Sequence, residues 1–486
     1  MGTASNRYAE RVAAKKRRSG RGKGPRQGIS GNPQRRAEQL AQRQSAIADE
    51  PDFSVFRDLA YSLAGGADPS PWWTESHQQI LAAARALTWP SRLVDLETQA
   101  GRIVGDEFYE RLSSEQGGML PSQWLLALAE ETGAELRASV ADGTGDWRQL
   151  WALLSGLALT VPPSDSQSET VKLARETFPD IKDPHATVLA EADQAAKLLA
   201  DRGLDAGLRP SPDGARPAGD PQVTWDAYGT RFLLVAPFGY DGEAPDHWYA
   251  WDIDACWLLT VVAAGVFDSA QEALAEWQHA AGPPAAGTAL SPASPRLTAR
   301  LLAPCLESGP MSEMLQGYEP RELLREYYRL RQRASALVGS ADAPATDDAA
   351  GPSSDDDDFS PVRETFLDWY RARHDTVPPN AADVVDIILH EWGPSVQPGE
   401  RSSYASSPHR IEMAARLIRD AYLTDYANAA LRLLPEWTQW CIEQYGLNAD
   451  LAARSRAAAL TESTALVDEK NSPADQRDEP PFRRQE

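Results

Sequence analysis

Cysteine is nearly missing from this chain: Cys256, Cys305 and Cys441 are the only three in 486 residues. They are odd in number, far apart and without a CxxC, which argues against a disulfide framework and against a thiolate zinc site, which needs clustered ligands. Long apolar runs are missing too. The longest, Cys256–Phe267, is too short to cross a bilayer and reads as a buried strand. No apolar segment follows the basic N-terminus, as a secretory signal requires. The opening Met1-Gly-Thr-Ala-Ser-Asn6 has Asn6 where myristoylation needs Ser or Thr. These absences lead us to expect a cytoplasmic protein without membrane contact. Signatures of chemistry are equally scarce. There is no GxSxG elbow and no Cys–His pair close in sequence. Gly20-Arg-Gly-Lys-Gly-Pro25 lacks the strand, spacing and Ser/Thr of a phosphate loop.

Positive charge is sparse except at one end. The formal net charge is -23, yet residues 1–50 carry twelve Lys/Arg against four acids. That local +8 leaves -31 on the remaining 436 residues. The cations Arg11, Lys15, Lys16, Arg17, Arg18, Arg21, Lys23, Arg26, Arg35 and Arg36 are interspersed with Gly and are the candidate nucleic-acid contacts. Such cations displace counterions condensed on a phosphate backbone. Tyr8 is the only ring nearby, so stacking is minor and binding would be sequence-tolerant. Two plainer readings stand beside this one: a solvated tail, and a tail folded onto the acidic body.

Patterning divides the rest. Residues 1–45 have too few large apolar side chains to offset chain entropy and read as a disordered basic arm. Residues 46–205 carry helical apolar spacing, as in Leu150, Trp151, Leu154 and Leu157, with Asp146 as the expected N-cap. A linker at 206–221 precedes an α+β module at 222–283, whose strands form an antiparallel meander. From Tyr249 the residues Tyr249, Trp251, Ile253 and Ala255 alternate with Ala250, Asp252 and Asp254, so one face packs and the Asp face is expected to look outward. Ser269 and Glu272 make a capping box for a helix ending at Gly282. A linker at 284–296, a helical segment at 297–338 and an acidic linker at 339–360 follow, the last holding seven Asp, including Asp355–Asp358. A C-terminal helical domain covers 361–465, with Pro435 expected to separate a helix Ile411–Leu434 from the next. Residues 466–486 read as a disordered tail. The expected fold is mainly α: two helical domains flanking a small antiparallel α+β module.

Candidate chemistry centres on Asp252 and Asp254, two carboxylates on one strand face that a divalent cation would bridge with Glu272 or Asp226 as a third ligand. The plainer reading is an exposed strand face. His247 has the opposite parity and does not join them. His390-Glu391 begins like a zincin helix but lacks the second His, and His409 with Glu412 shares a helix face, as surface pairs commonly do. Most of the fifteen Trp fall at core spacing; Trp72-Trp73 lies outside it, as a partner anchor or as packing on the first helix.

Gly24-Pro-Arg-Gln-Gly-Ile-Ser-Gly-Asn-Pro-Gln-Arg-Arg36 and Trp248-Tyr-Ala-Trp-Asp-Ile-Asp-Ala255 resemble segments of uncharacterised actinobacterial proteins, which implies no activity. The strand pair with Phe267-Asp-Ser-Ala-Gln-Glu-Ala-Leu-Ala-Glu-Trp277 is similar in layout to small antitoxin modules of the HicB type, and strands followed by a Glu-bearing helix resemble the layout of ribonuclease-H-like nucleases. Layout does not determine function. The expected role is a non-catalytic binding or scaffold protein with a protein partner and an arm for nucleic acid, needing no cofactor. The alternative is a metal-dependent nuclease or other hydrolase centred on Asp252 and Asp254. A third expectation is a homo-oligomer, with one copy's arm on the Asp355–Asp358 run of another.

Overall fold

The computed structural model describes residues 71–466 apart from 89–91, 114–120, 162–183, 205–206, 208–213, 241–244, 257–258, 308–319, 341–359, 379 and 393–403. The basic arm, Asp355–Asp358 and the tail from 467 lie outside the described residues. Within them the chain is mainly α, with one small antiparallel sheet and a helix on it. No helix among them is long and apolar enough to cross a membrane.

Helices α1 (Pro71–Ala84), α2 (Leu93–Ser113), α3 (Pro121–Asp142), α4 (Trp147–Thr160) and α5 (Pro184–Asp201) come first. α4 is apolar nearly all round, and such a helix must be covered on every side. Its Leu150, Trp151 and Leu154 join a helical core with Trp124, Leu128, Val188 and Leu199. Its Ala152 and Leu159 reach a second core on the sheet. Asp146 precedes α4 with helical backbone angles and makes no side-chain cap; its carboxylate instead lies 3.9 Å from Arg85. Trp73 packs partly buried against the first core.

Among the described residues the six strands are β1 (Arg216–Pro217), β2 (Gln222–Trp225), β3 (Arg231–Gly239), β4 (His247–Asp254), β5 (Thr260–Phe267) and β6 (Ser291–Pro292). They run β5-β4-β3-β2-β6, with β1 also paired to β3 and all pairings antiparallel. Two strands therefore arise from the Pro-rich stretches that read as linkers. Alternation sorts the faces. Phe232, Leu234, Ala236 and Phe238 of β3 and Tyr249, Trp251 and Ile253 of β4 share one core. Leu233, Val235 and Ala250 face the other way, under α6 (Ala270–Ala281), where Leu274 and Trp277 pack. Ser269 Oγ caps α6 by accepting from the Glu272 amide at 3.1 Å, while Glu272 accepts from the Asp268 amide.

After α7 (Pro295–Glu307), α8 (Pro320–Ser340) returns to the first helices. Leu324 and Tyr328 enter the helical core, and Leu323, Leu330, Ala334 and Leu337 enter the sheet core. The stretches 46–205, 222–283 and 297–338 therefore share apolar interiors. Gly101 and Gly105 on α2 permit the contact: a Cβ on Gly105 would lie 2.3 Å from the Arg325 Cα.

The C-terminal helices are α9 (Ser360–Arg371), α10 (Ala381–Trp392), α11 (Pro408–Ala421), α12 (Thr424–Tyr445) and α13 (Ala449–Thr464). They enclose a third core in which Phe366 meets Trp437 and Trp440 at 5.2 and 5.4 Å between ring centroids. The break falls at Tyr422–Leu423 and not at Pro435, which lies inside α12. An interior proline costs ~3 kcal/mol. Burial of Leu431, Leu434, Trp437, Trp440 and Cys441 across it outweighs that cost, each large apolar side chain contributing ~1.5–3 kcal/mol.

Candidate functional site

The Asp face of β4 does not look outward. Asp252 and Asp254 are both buried, because α6 covers the strand's middle and the C-terminal helices cover its end. Their surroundings differ. Asp252 forms a fork with Arg231, Oδ1 accepting from Nε at 2.8 Å and Oδ2 from Nη2 at 2.6 Å. Its Oδ1 also accepts from the Trp277 indole at 3.0 Å. Paired and bidentate interactions of this kind hold a carboxylate in place and leave it little capacity for a cation. Neither proposed third ligand approaches as expected. Glu272 serves the α6 cap, and Asp226 closes the β2–β3 turn, accepting from the amides of Thr230 at 2.8 Å and Arg231 at 3.1 Å. Burial, with the Asp254 charge adding to it, pushes the Asp226 carboxyl up to about 6 despite those amides.

Asp254 ends β4 and begins a different assembly. Its Oδ1 accepts from the Cys256 amide at 2.7 Å, turning the chain so that Cys256 leaves the sheet toward the C-terminal helices. Its Oδ2 lies 3.1 Å from His409 Nδ1, across 155 residues of sequence. His409 sits in the first turn of α11, where Pro408 presets the backbone and Ser407 Oγ caps the helix by accepting from the Arg410 amide at 3.2 Å. The Cys256 thiol is 3.4 Å from Ser407 Oγ. Asp254, Cys256 and His409 each offer one ligand atom, and the three atoms lie within 4.8 Å of one another.

Charge and burial set the behaviour of each group. The hydrogen bond to Asp254 raises the His409 pKa against the opposing effect of burial, and Glu412 on the same helix adds to the rise. Burial holds the Cys256 thiol well above its ordinary range. Arg410 is fully buried and donates to the carbonyls of Trp392 at 2.7 Å and Ala405 at 3.3 Å. Burial lowers its pKa to about 10, so it stays a cation, and its charge favours the Cys256 thiolate. Tyr228, in the β2–β3 turn, donates to the Leu451 carbonyl of α13 at 3.2 Å, a second tie between sheet and C-terminal helices.

On the opposite sheet face His247 joins a separate buried group, as its parity predicts. Its Nε2 is 3.1 Å from Arg333 Nη2, which also donates to Glu97 at 2.6 Å. Burial and the Arg333 charge lower the His247 pKa to about 2, so it is neutral. Beside His390, the buried Glu391 accepts from the Tyr422 hydroxyl at 2.8 Å, and among the described residues no group of three metal-ligating side chains includes His390.

The two predicted metal ligands thus have different partners, and one of them, Asp254, lies with Cys256, two residues on, and with His409, 155 residues away. The only local signal for Cys256 was its position two residues after Asp254. The cations of the arm, Arg11 to Arg36, lie outside the described residues. Comparison of the chain with protein-family models, curated proteins and solved structures finds no match.

Proposed function

We propose that this chain is a non-catalytic binding or scaffold protein of the cytoplasm, whose N-terminal arm contacts nucleic acid through phosphates while the folded body meets a protein partner. The observation that carries this reading is the charge division: +8 on residues 1–50 against -31 on the rest. The site geometry favours it over a hydrolase centred on Asp252 and Asp254. Arg231 and Trp277 already engage Asp252, so the pair does not present the open acidic face that a metal-dependent nuclease needs. A cationic arm beside an anionic body has a plain physical use. Attraction is concentrated on the N-terminal stretch, and repulsion keeps the body off the same polyanion.

The test is salt-dependent binding of the full chain to duplex DNA. With six to eight phosphate contacts, log K falls against log salt with a slope of about -5 to -7. Changing Arg17, Arg18, Arg21 and Lys23 to Gln flattens that slope by about 3.6, since each lost contact removes about 0.9. Equal binding by both proteins, or binding indifferent to salt, defeats the reading. Light scattering at low and high salt reads the competing contact of the arm with Asp355–Asp358 of a second copy; a constant monomer mass excludes that contact.

A further inference from the structure

We propose that Asp254, Cys256 and His409 form a site for one zinc-like divalent ion that fastens the C-terminal helices to the end of the sheet. The proposal does not depend on the nucleic-acid reading. A carboxylate, a thiol and an imidazole converge with their ligand atoms within 4.8 Å of one another. Two come from the end of β4 and one from the start of α11, so an ion there would join segments 155 residues apart.

The spacing suits a small tetrahedral ion. Zinc bonds of about 2.0–2.1 Å to nitrogen or oxygen and 2.3 Å to sulfur put neighbouring ligand atoms ~3.3–3.6 Å apart. The imidazole and carboxylate are already 3.1 Å apart, and the Cys256 thiol, within 4.8 Å of both ligand atoms, would close the remainder on binding the ion. The donor set selects the class of ion. Sulfur with nitrogen favours zinc or its cobalt surrogate over magnesium and calcium, which take oxygen ligands. Three protein ligands leave a fourth position for water, and His409, 37% exposed, gives that side access to solvent. Binding displaces the thiol proton and any second imidazole proton to solvent. Zinc then balances the carboxylate and thiolate charges, leaving Arg410 with the carbonyls that already hold it.

Two other uses of these residues fit less well. A cysteine nucleophile activated by His409 and Asp254 needs an accessible thiolate, whereas Cys256 is 3% exposed. A bare Asp254–His409 ion pair leaves the Cys256 thiol only its contact with Ser407 Oγ, although the Asp254 carboxylate itself turns the chain to place it.

The experiment is a Co2+ titration of the reduced, metal-stripped full chain. The expected result is a thiolate-to-cobalt charge-transfer band saturating at one ion per chain and bleached by Zn2+. Cys256→Ser abolishes the band, while Cys441→Ser, altering a cysteine buried in the C-terminal core, retains it. His409→Gln, at a part-exposed position that tolerates the change, loses the intense visible absorption of tetrahedral cobalt. If Cys256→Ser fails to fold by circular dichroism, the His409→Gln titration decides. No band in the wild type, a band that survives Cys256→Ser, or a His409→Gln titration like wild type overturns the proposal, the first leaving an ion pair only and the last showing that His409 is not a ligand.

Discussion

Replacing Asp252 by Ala separates a structural carboxylate from a catalytic one by the sign of its effect. In the structure Asp252 satisfies both nitrogens of the Arg231 fork and the Trp277 indole. Its side chain is 9% exposed and that of Arg231 is 26% exposed. Truncation of a buried ion pair on one side costs about 3–5 kcal/mol. Arg231 can recover some water at its exposed edge, which lowers that figure, while the stranded indole N–H adds about 1–3 kcal/mol. Together these give an expected loss of about 3 kcal/mol. Asp252→Asn keeps an acceptor for Trp277 and should lose about half as much. The assay is urea unfolding in chelator, followed by Trp fluorescence. A double-mutant cycle with Arg231→Met should show a coupling of ~1–3 kcal/mol. In an unpaired metal site, removing one of two neighbouring like charges would be neutral or stabilising without metal. An Asp252→Ala protein as stable as wild type, or more so, would refute the assignment of Asp252 to the fold.

Two further predictions concern the buried interior. Gly105→Ala on α2 drives a Cβ into the Arg325 backbone and should cost ~1–3 kcal/mol or more, whereas Gly145→Ala, with nothing within 4 Å, should stay within ~0.5 kcal/mol. Thermal melts of the pair check this, and equal melting temperatures would contradict the close α2–α8 contact. His247 is neutral in the fold with its pKa lowered to about 2, so the unfolded chain binds the extra proton below about pH 6.5. Its contribution is present above that pH and is lost as pH falls toward the folded value, by about 1.4 kcal/mol per pH unit. His247→Gln should therefore flatten the acid side of the stability profile; a profile parallel to wild type from pH 7 to 5 would contradict the neutral burial of His247.

The architecture was largely legible because its strongest signals are local. The β4 alternation placed Tyr249, Trp251 and Ile253 on one buried face, and Ser269 with Glu272 marked the start of α6. Where expectation failed, tertiary packing had overruled a local preference. Asp146 did not become a cap, and Pro435 did not end a helix whose Trp437 and Trp440 are fixed in a core. Pro217 and Pro292 read as linker residues, yet both lie in two-residue strands, where the missing proline N–H costs little. The helical segment 297–338 was legible as helix, but the division into stretches concealed that the two faces of α8 complete two different cores.

The candidate site was only half legible, for a geometric reason. Parity along a strand can say that Asp252 and Asp254 share a face, but it cannot say what covers that face. Register sets Arg231 opposite Asp254, yet its side chain crosses diagonally to the first carboxylate, Asp252, a contact that register alone would not assign. His409 reaches the second from a helix 155 residues away, which no spacing rule encodes. Sparse cysteines argued against a zinc site because multi-thiolate sites cluster in sequence. That argument does not extend to mixed ligand sets, in which one thiol suffices and the fold supplies the other donors. The surroundings of the end of β4 therefore follow from its tertiary partners rather than from the strand's own pattern, since the Cys256 amide and His409 are what the Asp254 carboxylate meets.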